Sequence, residues 1–436
     1  MARLRTERLQ ILMNGHVVGE LRRSSRGLLS FVYAEQWLQS DYRRPISLSL
    51  PLAGQEYSGP VVENYFDNLL PDSLPLRQRL QTRVAAPSAS CFDLLSRIGR
   101  DCIGALQLLP EGPPPEVRVV NATAVNDRDI GRILGNTRAM PLGIDMADDF
   151  RLSVAGVQEK TAFLRYHNAW YRPGGATPTS HLFKLPIGTL GVSGIDLSDS
   201  VENEWLCCQI LKAFEVPVAN VTMQTFDDQR VLVVERFDRR WAADGSWLIR
   251  LPQEDMCQAL GISGALKYEA DDGPGMSAIM DVLLGSGTSG KDRETFLTAQ
   301  LLYWMLAAID GHAKNFSIFH LAGGIYRLTP LYDILSAYPL VAAGQLDRQK
   351  VRMAMAVHGK NRHYRWDTIT RRHWLETARR CRFPADDMDL IIDSCCDRLP
   401  SVIAHVAEHL PAGFPESVAS AIFAGMEKAK QRLVRS

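Results

Sequence analysis

The chain has 436 residues, with 49 Lys and Arg against 49 Asp and Glu, 46% hydrophobic and 22% charged. That length is enough for about three structural units with their own cores. Zero net charge excludes wholesale coating of nucleic acid or of an anionic membrane and leaves only a local basic patch open.

The eight cysteines form no C-x-x-C pair, and Cys207-Cys208 and Cys395-Cys396 are adjacent neighbours. This fits neither a zinc framework nor a secreted disulfide framework, and points to buried thiols in a cytoplasmic protein. The start, MARLRTERLQ, has no apolar signal-peptide core. In the first segment, residues 9–13 and 16–21 flank Asn14-Gly15, a hairpin-turn signal, and 28–33 adds a third strand. Residues 65–70 and 92–98 have helical character. The run 110–116, with four prolines and a glycine, predicts a linker and a domain boundary.

Further on, 160–166 and 169–172 predict two strands around His167-Asn168, and 181–185 a third. Residues 200–214 have the apolar spacing of an amphipathic helix. Two more strands, 220–226 and 230–237, flank Asp227-Asp228-Gln229. From about 238 onward the chain is expected to be mostly helical. Its apolar run 295–309 has 15 residues without a formal charge, which suits a buried helix and is short for a bilayer. No membrane association is expected.

A small sheet with one helix, followed by a helical region, is the layout of a protein kinase. The fold class is α+β: a β-rich ATP-binding lobe, a mostly helical lobe, and an extra N-terminal β-rich subdomain. The expected divisions are 1–110, a connecting segment 111–148, an ATP-binding lobe 149–237 and a catalytic lobe 238–436. Phosphoryl transfer needs a lysine on the phosphates, a carboxylate near the nucleophile, metal ligands and backbone amides over the phosphates. Lys184 is the lysine candidate, though by itself it is equally a surface lysine on an edge strand. Glu204, or Glu202, is its candidate partner, with a solvated helix face as the alternative. Asp310 and Asn315 in DGHAKN have the D-x-x-x-x-N spacing of a kinase catalytic loop. Asp333, 23 residues further on among apolar neighbours, suits a second metal ligand, or else a helix N-cap. SVAGVQEK has a single glycine, Gly156, in place of a glycine-rich loop. His312 and His320 lack a third ligand at zinc spacing.

Taken together, FDNLLPDS (66–73), FDLLSRIGRD (92–101), DFRLSVAGVQEKTA (149–162), HLFKLP (181–186), VERFDRRW (234–241), RLPQEDMCQ (250–258), DGHAKNFS (310–317) and LTPLYDILSAYP (328–339) resemble the HipA family of bacterial toxin kinases. The resemblance spans most of the chain in the family's order. It implies Asp310 as catalytic base, with Asn315 and Asp333 as Mg2+ ligands. It places Lys184, His312, Lys314 and Tyr332 at the ATP, and Gln253 by the ribose. Glu235, Arg236 and Phe237 would form a hinge whose backbone reads adenine. Val154, Ala155, Gly156, Val157, Gln158, Glu159 and Lys160 would form the phosphate loop. Ser153 would be an autophosphorylation site, where about −1.5 to −2 added charge repels nucleotide.

The resemblance further implies a Ser/Thr kinase acting on translation, notably on glutamyl-tRNA synthetase, neutralised by a HipB-type antitoxin with which it represses its operon. Residues 348–382 carry eleven Lys and Arg against Asp347, Asp367 and Glu376. This is either a strip for DNA phosphates, with Arg379 and Arg382 as contacts, or a solvated face. Residues 187–200 suggest a mobile loop. Two other readings stay open: a small-molecule kinase on a related fold, and a catalytically weak corepressor. There is no H-R-D, since Ala308 lies two before Asp310, and no D-F-G, since Ile334 follows Asp333.

Overall fold

Asn14 and Gly15 both take positive φ, 48° and 85°, and join strands Glu7–Met13 and His16–Arg23. Such a turn matches the right-handed twist of the strands it connects. These coordinates are a computed structural model describing residues 7–139, 160–189 and 194–435. The chain divides into two compact units.

The first unit comprises Met1–Leu185, Gln224–Ala265 and Ser317–Tyr326. Its N-terminal sheet runs in the order Tyr57–Ser58, Leu29–Tyr33, His16–Arg23, Glu7–Met13, Leu106–Pro110. Helices Pro60–Asp67 and Cys91–Ile98 supply Tyr65, Phe66, Phe92, Leu94 and Leu95 to the core beneath it. A second sheet has the order Val221–Phe226, Gln229–Glu235, His181–Lys184, Lys160–Tyr166, Ala169–Pro173, Ala122–Val125. Phe163, Trp170, Phe183 and Phe226 pack on one side of it against Ile130 and Leu134 of helix Asp127–Ala139. The connecting segment 111–148 is therefore not only a linker. It adds the sixth strand and this helix, both too short in apolar pattern to stand out alone.

The second unit comprises Pro186–Met223, Leu266–Phe316 and Arg327–Ser436. It is built on helices Ser200–Ala213, Ser289–Met305, Arg371–Arg380, Ala385–Glu408 and Glu416–Arg435. Helix Ser289–Met305 buries Phe296, Leu301, Leu302, Tyr303 and Trp304. Beyond 238 the chain is mostly helical, as expected, and among the described residues it also contains seven short strands, among them the hairpin Arg352–His358 and Arg362–Arg365. Their alternation over three to seven residues is masked by surrounding helical periodicity. Within 187–200, Gly188–Thr189 pairs with Asp196–Leu197, and 190–193 lie outside the described residues. All eight cysteines are buried free thiols, as their spacing suggested. Among the described residues no helix is long and apolar enough to cross a membrane.

Candidate active site

The catalytic-loop candidate begins where helix Ser289–Met305 stops. Ala307 takes φ 48°, its N–H donates to Trp304 O (3.0 Å), and the Ala308 N–H donates to Tyr303 O (2.8 Å). This is a Schellman closure with alanine in the left-handed position that glycine usually fills. With no glycine to mark it, the sequence reading ran the helix on to 309. Gly311 follows, where an added Cβ would lie 2.6 Å from the buried Tyr303 ring. The chain then folds on itself: the His312 N–H donates to Asp310 O (2.8 Å), the Asn315 N–H to His312 O (2.9 Å), and Asn315 Nδ2 to Asp310 O (2.8 Å). The D-x-x-x-x-N spacing is thus a closed loop whose two ends touch.

Three further contacts fix that loop. The Tyr268 hydroxyl donates to Asp310 Oδ1 at 2.6 Å, and its ring meets the His312 ring edge-on at 5.0 Å. The Tyr332 hydroxyl donates to Lys314 O at 2.9 Å, which ties the loop to the segment holding Asp333. That segment is itself braced: Ser336 Oγ donates to Leu306 O (2.5 Å), the Ala337 N–H donates to Ala307 O (2.9 Å), and Asn203 exchanges two 2.8 Å bonds with the Ser336 backbone. Asp333 sits at φ 62°. The next helix, Tyr338–Ala342, has Ala337 at its N-cap, so Asp333 is not an N-cap. A non-glycine residue held in the left-handed region is strained, and such residues concentrate at functional sites. Asp310 is exposed; His312, Lys314 and Asn315 are buried.

Burial lowers the His312 pKa; the Asp310 charge opposes this, Lys267 adds to the lowering, and Asp333 opposes it again. His312 therefore lies within electrostatic reach of both candidate carboxylates and keeps a neutral ring, whose Nδ1 is buried with no hydrogen-bond partner. A cation here would be met by Asn315 Oδ1, left over once Nδ2 bonds Asp310 O, and by the Asp333 carboxylate. Hard oxygen ligands of this kind fit Mg2+. Among the described residues no three His, Cys, Asp or Glu side chains group as a metal site. Glu202 and Glu204 are both buried on helix Ser200–Ala213, which rules out the solvated-face alternative.

In the first unit, Lys184 is 6% exposed and pairs with both Leu232 and Lys160. It lies inside the sheet, so the edge-strand alternative fails. Lys160 is its cross-strand partner and is also buried. Like charges placed opposite each other on a sheet repel, and an anion beside them relieves that. Gln253 Oε1 is a buried acceptor with no hydrogen-bond partner, on a strand whose backbone Gly104 approaches so closely that a Cβ there would lie 2.8 Å from Gln253 O.

Arg236, in the expected hinge, is engaged within the protein. The Arg236 N–H donates to Ser180 O (2.9 Å), its carbonyl accepts from the Arg239 N–H (3.1 Å), and its guanidinium is buried between Asp238 (2.8 Å) and Asp101 (3.3 Å). Arg236 is thus held within the protein through both its backbone and its side chain. The Phe237 ring meets Phe319 at 5.8 Å. His320 bonds Glu254 at 2.8 Å, a structural contact. Ser153 and Val154, Ala155, Gly156, Val157, Gln158 and Glu159 lie outside the described residues.

The basic strip is more neutralised than its own segment suggested. Arg379 and Arg380 pair with Glu376 (3.5 and 3.2 Å), Arg371 with Asp389 and Asp393 (both 2.7 Å), and Arg382 with Asp281. Three of these acids lie outside 348–382 in sequence. Arg379 and Arg382 remain exposed.

The sequence reading missed Tyr268, Asn203, Ser336 and Tyr303. Ser336 lies within LTPLYDILSAYP but has no chemistry of its own to mark it, the other three stand outside the quoted motifs, and only the folded chain shows what each one braces.

The fold, with this loop and sheet lysine, defines a protein-kinase-like phosphotransferase. Residues 152–403 match the family model of the HipA-like C-terminal domain, and residues 9–109 that of the HipA N-terminal domain. The chain belongs to the HipA family. It is 34% identical over 343 residues to the putative kinase Y4mE of Sinorhizobium fredii, covering 76% of this chain and 78% of that one. It is 28% identical over 352 residues to the serine/threonine-protein kinase toxin HipA of Shewanella oneidensis, covering 77% and 76%. The first of these relatives is named as a kinase and the second as a serine/threonine kinase; this chain is a kinase of the same family. The fold matches that in the Shewanella oneidensis complex of HipA, HipB and operator DNA, with a TM-score of 0.81 at 22% identity over 98% of this chain and 97% of that one.

Proposed function

We propose that this enzyme transfers the γ-phosphoryl group of ATP to a serine or threonine hydroxyl of a protein in translation, with glutamyl-tRNA synthetase the expected target, and so arrests growth. The P–O bond to the β-phosphate breaks, a P–O bond to the hydroxyl oxygen forms, and the hydroxyl proton goes to Asp310. Tyr268 holds that carboxylate. Lys184 and Lys160 take phosphate charge, as do His312 and Lys314 with Tyr332 behind them. Gln253 Oε1 accepts from a ribose hydroxyl, and backbone groups of Glu235 and Phe237 meet adenine. Asn315 and Asp333 would hold Mg2+, which neutralises phosphate charge when bound. The observation that carries the reading is the closed loop from Asp310 to Asn315, with its exposed carboxylate oriented by Tyr268 and braced against the Asp333 segment.

The family further supports a self-limiting switch, in which Ser153 becomes phosphorylated and its added charge repels ATP. It also supports a HipB-type antitoxin as partner, through which the enzyme reaches operator DNA in the bacterial cytoplasm and corepresses its operon. The neutralised basic strip favours DNA contact mainly through that partner.

The test is incubation of dephosphorylated protein with Mg2+ and labelled ATP, then phosphosite mapping, with Asp310→Gln alongside. Label on Ser153 that is absent from the variant is the expected result. Protein that binds ATP yet transfers no label to itself or to the synthetase overturns the proposal.

A further inference from the structure

The second unit carries a cleft that the kinase reading does not use. Arg348, Asp367, Thr370, Lys428, Gln431 and Arg432 line a cavity of about 540 Å3. The guanidinium carbons of Arg432 and Arg348 lie 4.7 and 5.4 Å from the ring centroid of the one buried Trp366. The only carboxylate in the lining, Asp367, is committed to Arg365 through contacts of 2.7 and 3.3 Å. Among the described residues, no carboxylate lies within ion-pair distance of Arg348, Lys428 or Arg432. Arg432 Nη1 is buried with no hydrogen-bond partner. Buried donors in native proteins are nearly always paired, so an orphan guanidinium nitrogen needs an explanation. Burial lowers the Arg432 pKa and the charge of Arg348 lowers it further, while Tyr338 and Asp367 oppose the shift without reversing it. The protein thus holds two cations against one ring with no carboxylate in direct contact, only the more distant Asp367 charge opposing them, an arrangement that an anion would relieve further.

We infer that this cleft binds a small phosphorylated molecule whose phosphate is held by Arg348, Lys428 and Arg432. Guanidinium forks match phosphate oxygens in a bidentate way. Three cations suit the charge of a phosphate monoester. The volume falls in the range of small-ligand sites, roughly 300–1,000 Å3. Gln431 and Thr370 supply hydrogen-bonding groups for the remainder of the molecule. A concave site of this size suits a compact ligand better than a nucleic-acid backbone, which is met by an extended basic surface.

The probes are inorganic phosphate and ribose 5-phosphate, titrated in magnesium-free buffer with the melting temperature and the heat of binding as readouts. Wild type should be stabilised by one or both, and the tighter probe tells a free anion from an organic phosphate. Arg348→Gln and Arg432→Gln should each weaken binding about tenfold or more, as expected for lost hydrogen bonds to a charged group. Lys428→Ala, an exposed change, should weaken it without altering the fold. Without ligand, Arg432→Gln should change the melting temperature little, because the lost stacking on Trp366 is offset by relief of the repulsion from Arg348 and of the unpaired Nη1. Equal stabilisation of wild type and the Arg348→Gln/Arg432→Gln double variant overturns the site. So does binding of a DNA duplex at this cleft with no response to either small probe.

Discussion

Tyr268 and Asp310 are 42 residues apart in sequence, yet the tyrosine hydroxyl donates to the carboxylate across 2.6 Å. Asp310 is exposed, so without this bond its carboxylate would sample several rotamers. The Tyr268 ring also packs edge-on against His312, which Tyr268→Phe preserves. That variant should therefore lose orientation and little else. A hydrogen bond to a charged group is worth about 1.5–3 kcal/mol. On that basis kcat should fall about tenfold or more, with the KM for ATP unchanged. Steady-state kinetics decide this, and a raised KM at constant kcat would place Tyr268 in nucleotide binding instead.

Much of this architecture could be seen in the residues beforehand, for identifiable reasons. Asn14-Gly15 and His167-Asn168 announce their hairpins because positive φ at both turn positions favours few residue types. Lys184, Asp310, Asn315 and Asp333 keep fixed spacings to their strands and loops. Contacts distant in sequence were not legible. The acids that neutralise Arg371 and Arg382 come from Asp389, Asp393 and Asp281, which no window along the chain groups with them. The end of helix Ser289–Met305 was hidden because alanine occupies the left-handed position of its cap. The strand Ala122–Val125 was hidden beside a proline-rich run, and its pairing to Ala169–Pro173 alone makes it a strand.

The proposed hinge at Glu235, Arg236 and Phe237 adjoins a buried ionic cluster that depends on one carboxylate. Asp101 bonds Arg239 (2.9 Å), Arg236 (3.3 Å) and Thr179 (2.7 Å), and Arg250 lies 3.5 Å away. Burial alone would raise the Asp101 pKa; Arg239, Arg236 and Arg250 outweigh it and hold it at about 2. Asp101→Asn leaves Arg236 and Arg239 with Asp238 alone, and Arg250 with no acidic partner among the described residues. Breaking a buried pair in this way costs about 3–5 kcal/mol. Urea unfolding should report a loss of that order, together with a weaker ATP affinity as Arg236 and the hinge loosen. A loss below about 1 kcal/mol would show that the cluster relaxes into water.

Acid should destabilise the enzyme in two stages. Burial lowers the pKa of His181 to about 4, and lowers those of His312, His358 and His373 as well. For these groups the unfolded chain binds protons first. Their stabilising contribution is complete above about pH 6.5 and is lost as pH falls towards the folded value. His181 Nδ1 contacts Ser180 Oγ at 2.8 Å, and that hydroxyl accepts from the Arg165 N–H, so the neutral ring is the one that fits. His181 alone contributes on the order of 3 kcal/mol over this window. Asp101 adds its loss only at lower pH, between about 4 and 2. Melting temperatures from pH 7 to 4 should fall for wild type and fall less for His181→Gln. Parallel curves for the two would remove His181 from the account.

Gly311 follows Asp310 because the Tyr303 ring leaves no room for a side chain there. An added Cβ would lie 2.6 Å from Cδ2 and 3.0 Å from Cε2 of that ring. Tyr303 is 1% exposed, and its ring also contacts Phe316 with centroids 5.7 Å apart, so it has no free direction in which to retreat. In Gly311→Ala the loop must give instead, carrying Asp310 off its Tyr268 contact. Overpacking of this kind costs about 1–3 kcal/mol of stability. Displacing a reacting group by about 1 Å costs roughly 100-fold in rate. Activity should therefore fall far more than folding does, which sets this variant apart from a general core defect. Tyr303→Leu shortens the side chain that Gly311→Ala meets, so the double variant should regain part of kcat while remaining less stable than wild type. If the double variant is as slow as Gly311→Ala alone, the ring is not what holds the loop in place.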